Sequence, residues 1–148
     1  MSMSNAFETE LLDLIFNNAA IANIGDAGGL QPSAVGGSLY VSFHTANPDE
    51  TGNQGSFETT YTNYARVGVA RSGAGWTITG NTATNAALIQ FPQCGATGAT
   101  ITHVGIGVSP TAGDTGVLLF SGALSSPLTV ANLIQPQFAA GDLDVVAD

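Results

Sequence analysis

Ser38-Leu39-Tyr40-Val41-Ser42-Phe43-His44 decides the fold: Leu39, Val41 and Phe43 alternate with Ser38, Tyr40, Ser42 and His44. An apolar period of two is the signature of a strand with one buried face, and it predicts that the chain is β-rich from Ser38 onward. Ala65, Val67 and Val69 alternate in the same way with Arg66, Gly68 and Ala70. Short strand-like runs then recur at 76–79, 87–91, 102–108, 117–123, 128–130, 134–138 and 143–146, separated by Gly, Pro, Asn and Ser. Strands at this spacing, punctuated by turn residues, predict an all-β fold: a single jelly-roll-like β-sandwich of about eight strands. Pro92, Pro110, Pro127 and Pro136 fall at the ends of runs, where a missing N–H does least harm.

Before Ser38 the period is different. Phe7, Leu11, Leu14 and Ile15 share one helical face, widened by Leu12 and Phe16, which predicts one N-terminal α-helix over 5–22. Asn5 followed by Glu8 resembles a capping box, and the early carboxylates suit the positive end of the helix dipole. Gly25, Gly28, Gly29, Pro32, Gly36 and Gly37 cannot sustain that helix, so 23–37 reads as a Gly-rich linker and 38–148 as the sandwich. The whole of 1–148 is expected to be one domain. At this length folding removes roughly 70% of the unfolded surface from water, enough for a core without disulfide or metal staples.

Charge narrows the partners. Arg66 and Arg71 face eleven carboxylates, for a net charge of −9. Two guanidiniums cannot neutralise the several phosphates that nucleic-acid binding requires, and anionic membranes are disfavoured for the same reason. Each arginine is expected to have a carboxylate partner, either internal or across an interface. Residues 1–14 hold acidic but no basic side chains, which argues against a secretion signal and predicts synthesis in a cytoplasm.

No arrangement points to catalysis, a cofactor or a metal. His44 and His103 lack further ligands at metal spacing and read as surface or satisfied histidines. Cys94 is a lone thiol outside any nucleophile signature. Asp142 and Asp144, two apart, read as a solvated strand edge. Gly73/Gly75 and Gly105/Gly107 open no helix and precede no lysine, so they suggest close backbone approach rather than a phosphate loop.

Several segments taken together resemble a family of small tailed-bacteriophage virion proteins. They are Phe7–Asp13, Leu39–Pro48, Tyr64–Val67, Asn81–Ala83 ahead of Ile89–Pro92, Ile101–Gly107, Leu118–Leu124 and Phe138–Leu143. Members are often labelled tail-fibre proteins, and some resemble the jelly-roll cement, or decoration, proteins of phage heads. The resemblance implies no catalytic residues. It implies a structural protein of the virion, on the outer capsid surface, whose partners are the major capsid protein and further copies of itself, a dimer favoured over a trimer. A tail-fibre or baseplate component and a carbohydrate-binding jelly-roll module are the alternatives. Candidate interface residues are Phe7, Leu11, Leu14 and Ile15, which could instead cap the core, together with Arg66 and Arg71.

Overall fold

The computed structural model describes residues 2–147, so Met1 and Asp148, the ends of the expected domain, lie outside the described residues. Ser4 caps α1 (Asn5–Asn17), its Oγ accepting from the Phe7 amide, one position ahead of the cap expected at Asn5. The helix stops short of residue 22 because Asn18 adopts the left-handed conformation (φ 57°, ψ 37°) and the Ala19 N–H turns back to the Asp13 carbonyl. The Asn18 amide then exchanges two hydrogen bonds, 2.8 and 2.9 Å, with the Ser33 backbone. Residues 23–37 are therefore more than a linker: they are tied to the helix end, and Leu30 within them bridges back to Ile21.

Nine strands follow among the described residues: β1 (Ser38–His44), β2 (Val67–Ala70), β3 (Trp76–Thr79), β4 (Thr82–Asn85), β5 (Ile89–Gln90), β6 (Ala99–Gly107), β7 (Leu118–Val130), β8 (Gln137–Phe138) and β9 (Asp144–Val146). Their sheets have the orders β2-β1-β6-β7, β3-β4-β9 and β5-β8. The protein is thus mostly β, with several antiparallel pairings and one N-terminal helix, in keeping with the all-β sandwich expected. Thr82-Ala83-Thr84-Asn85, too short and polar to announce itself, forms the middle strand of its sheet. The runs 117–123 and 128–130 join as β7. Opposite them β6 advances from Ile101 to His103 while β7 runs from Leu128 back to Ala123, so 124–127 form a bulge. Pro127 sits inside that bulge on an edge strand, where its missing N–H breaks no ladder bond, and so it does not end the strand.

Contacts gather the chain into two units. One comprises residues up to 38, 70–89 and from 138; the other comprises Leu39–Val69 and Gln90–Gln137. In the first, α1 lies on β3 and β4 through Glu8, Leu12 and Phe16, and the Phe16 ring meets Trp76 edge-on at 4.7 Å. Burying each such large side chain stabilises by roughly 1.5–3 kcal/mol. This inward stripe is rotated from the one the apolar count suggests, so Phe7, Leu11, Leu14 and Ile15 are only half-buried.

In the second unit Phe43 stacks on Phe91 at 3.9 Å, over a core that includes Val41, Ile101, Val104, Ile106 and Val130. β1 is buried on both faces here: Ser42 and His44 are as enclosed as Val41 and Phe43. Gly105, across from Ser42, makes this possible, since a Cβ there would stand 2.6 Å from His44 Nε2 and 2.9 Å from Ser42 Oγ. Gly107, across from Tyr40, likewise leaves room for the buried Gln54. The alternate glycines of β6 serve close packing against polar side chains.

Candidate interaction surface

Arg66 is sealed inside the second unit. Its Nε and Nη2 donate to the two oxygens of Glu58 at 2.7 and 2.8 Å, while Nη1 and Nη2 reach the Ser109 and Asp114 carbonyls at 3.0 and 2.9 Å. Glu58 also accepts from the Tyr64 hydroxyl and the Gly113 amide, and Tyr64 Oη in turn accepts from the Phe43 N–H. The two side chains are 0% and 4% exposed, so this is a buried bidentate pair in which every guanidinium nitrogen and both carboxylate oxygens are hydrogen-bonded. Burial alone would raise the Glu58 carboxyl, but hydrogen bonds from Arg66, Gly113 and Tyr64 outweigh it and hold the group below its ordinary value. Burial and the adjoining Glu58 charge push the Tyr64 phenol well up. The network joins the segment before β2 to the loop between β6 and β7, beside a cleft of about 460 Å³ lined by 58–64 and 112–113.

Arg71 has a different task, in the first unit. It binds carbonyls in place of the expected carboxylate: Nε to Ile15 at 2.6 Å, Nη2 to Leu14 at 2.7 Å and Nη1 to Gly36 at 3.2 Å. α1 has no basic residue in its last turn, and this distant guanidinium satisfies its terminal carbonyls and faces the negative end of its dipole. Of the candidate interface residues, the structure thus joins Arg71 to the backbone of Leu14 and Ile15. Phe7 and Leu11 remain half-buried on the same helix, and Arg66 belongs to the other unit.

The groups with catalytic chemistry are enclosed or occupied. Ser42 Oγ lies 2.9 Å from His44 Nε2, and His44 Nδ1 lies 2.8 Å from the Ser56 carbonyl. A carbonyl only accepts, so Nδ1 carries the proton and Nε2 accepts from Ser42. This is the spacing of a nucleophile, base and orienting group, but Ser42 and His44 are 0% exposed and no substrate reaches them. Burial, the largest influence, lowers the His44 pKa and keeps the ring neutral. Cys94 is buried with Sγ against the Gly95 and Thr97 carbonyls, while His103 bonds the neighbouring Thr102. Asp142 accepts from the Ala139 amide in a turn outside β9, and Asp144 accepts from Thr84, so the two do not share a strand face as a pair. No group of three or more potential metal ligands gathers among the described residues. No helix among them is long and apolar enough to cross a membrane.

One outward surface is the β7 edge. The strand ends its sheet, and Leu119, Ser121, Gly122 and Ala123 are exposed. Nearby Val117 and Val108, joined by a backbone hydrogen bond, are 62% and 47% exposed. A groove of about 600 Å³ runs between Leu118–Ser121 and the loop carrying Asn47, Asp49, Glu50 and Gly52. Hydrogen bonds from the Thr51 hydroxyl and amide hold the Asp49 carboxyl below its ordinary value. The sequence carried one signal of this surface: between Arg71 and Asp142 the only formal charge is Asp114, so β7 has none of the charged side chains that guard exposed edges.

The family model described as Podophage GP4 fiber I protein gp80 matches residues 2–146 of the chain. No curated protein matches it.

Proposed function

The chain belongs to the Podophage GP4 fiber I protein gp80 family, and on that premise we propose that it is a structural subunit of a podophage virion fibre that works by protein–protein contact rather than catalysis. The match over both units carries the reading. The geometry supports it, because Ser42, His44 and Cys94 are closed to substrate and the outward features include an apolar strand edge and an acidic loop. A capsid-cement role, with the major capsid protein and further copies of the chain as partners, is the second reading. It is favoured by the strands of the described residues, which show no repeating shaft element. Quantitative gels of purified particles decide between them. A few tens of copies, lost with the tail, mark a fibre, whereas on the order of hundreds of copies on a symmetric shell mark cement. In the cement case heads lacking the protein also lose heat resistance and regain it on add-back. Absence of the chain from purified particles refutes both.

A further inference from the structure

We propose that the first half of β7, with the Asp49–Glu50 loop beside it, docks an extended, lysine- or arginine-bearing segment of another virion protein, which adds a strand to the sheet. This rests on the virion reading above and names the surface and the chemistry of its partner.

The edge itself comes first. A strand that ends a sheet presents backbone donors and acceptors to any extended chain, and native proteins guard such edges with charge, proline or a bulge. The 124–127 bulge and Pro127 guard the second half of β7. A second register shift leaves Leu119 as an extra residue between Leu118 and Phe120, so the stretch with neither guard and no charged side chain is residues 120–123. A Cβ added at Gly122 would meet nothing within 4 Å, and Leu119 is 37% exposed beside the still more exposed Val117. The groove next to them has the chain's own backbone edge on one wall and carboxylates on the other.

Charge selects the occupant. Glu58 and three backbone carbonyls of α1 and the following loop hold the two guanidiniums within the chain, leaving no arginine and no lysine for an interface. A second copy laid on this edge would bring its own Asp49 and Glu50 against the first pair, and like charges placed together at an interface cost several kcal/mol. A strand with apolar side chains toward Val117 and Leu119 and a cation toward Asp49 and Glu50 satisfies both walls.

The test uses phage lacking the gene, grown on a host supplying the full chain as wild type, Leu119→Lys, Asp49→Asn/Glu50→Gln, or Val35→Lys as a control at an exposed apolar site elsewhere. Copies per particle are measured after low- and high-salt washes, and melting temperatures confirm folding. Leu119→Lys sets a cation against the partner's own, and incorporation falls roughly tenfold or more. The loop variant falls several-fold and loses the salt sensitivity that wild type shows, while Val35→Lys matches wild type. Wild-type incorporation of both edge and loop variants overturns the proposal. So does a wild-type dimer in solution that Leu119→Lys dissociates, because the occupant is then a second copy. If Leu119→Lys does not fold, the loop variant decides alone. A wild-type chain missing from particles refutes the virion reading, a result distinct from variants that remain bound.

Discussion

Arg66→Met should destabilise the protein by about 3–5 kcal/mol at neutral pH, the range found when one member of a buried pair is removed. The guanidinium makes four hydrogen bonds, two to Glu58 and one each to the Ser109 and Asp114 carbonyls. Without it a carboxylate only 4% exposed keeps just the Tyr64 hydroxyl and the Gly113 amide as donors. At about 3 °C per kcal/mol for a chain of this size, the melting temperature falls by roughly 10 °C or more. The pH dependence separates this cause from simple loss of packing. In wild type, burial raises the Glu58 carboxyl but its hydrogen bonds win and hold it low, so its contribution is present above the unfolded value and is lost as pH falls through the folded one. In the variant, burial is less opposed and the folded value rises, so stability is lost as pH climbs toward neutrality. The gap between the two proteins therefore narrows in acid, by about 1.4 kcal/mol per pH unit between the two folded values. Adding Glu58→Gln removes the stranded charge, with its single oxygen accepting from the Gly113 amide and its NH2 donating to the Tyr64 oxygen, and should restore about 1–3 kcal/mol. Urea titrations of the three proteins across the acid range measure this. A neutral-pH gap under about 1 kcal/mol, or one that does not change with pH, refutes the reasoning.

Arg71→Met should cost about 1–2 kcal/mol and speed amide exchange in the last turn of α1, with Arg71→Lys restoring only part because a point charge cannot span three carbonyls. Gly105→Ala drives a methyl into His44 Nε2, Ser42 Oγ and Leu118 Cδ1 and should destabilise by about 1–3 kcal/mol, whereas Gly122→Ala, in open space, stays within about 0.5 kcal/mol; thermal melts compare them. His44 has a pKa lowered by burial, so the unfolded chain takes up the proton first and the histidine's contribution, complete above about 6.5, drains away as pH falls toward the folded value. Ring shifts in NMR should show His44 neutral and protonated at Nδ1 at pH 6.5, and a ring half-charged there would contradict the hydrogen-bond assignment.

Local periodicity made β1 and α1 legible, because a period of two or of 3.6 needs only neighbouring residues to be seen. Their faces were less legible. The helix turns Glu8, Leu12 and Phe16 inward because Trp76 stands beneath Phe16, and nothing near residue 16 announces that ring. His44 and Ser42 occupy positions that alternation assigns to an outer face, and they are buried because Gly105 lies opposite, more than sixty residues along the chain. The scarcity of arginine correctly implied that both are engaged. Only folding distinguishes a carboxylate for Arg66 from helix-end carbonyls for Arg71. Pro127 looked like a terminator because a single sequence cannot tell an edge bulge from the end of a strand.

The same scarcity shapes what the surface can bind. Had either guanidinium pointed outward, a copy of the chain could supply the counter-charge to Asp49 and Glu50, and self-pairing along β7 would be electrostatically self-sufficient. With Arg66 closed over Glu58 and Arg71 closed over the end of α1, the exposed charges among the described residues are carboxylates. Attraction at the β7 groove must then come from the other molecule, and it weakens with salt because these carboxylates are open to solvent. The positive charge missing from this sequence is expected on its partner, along a strand that meets residues 120–123.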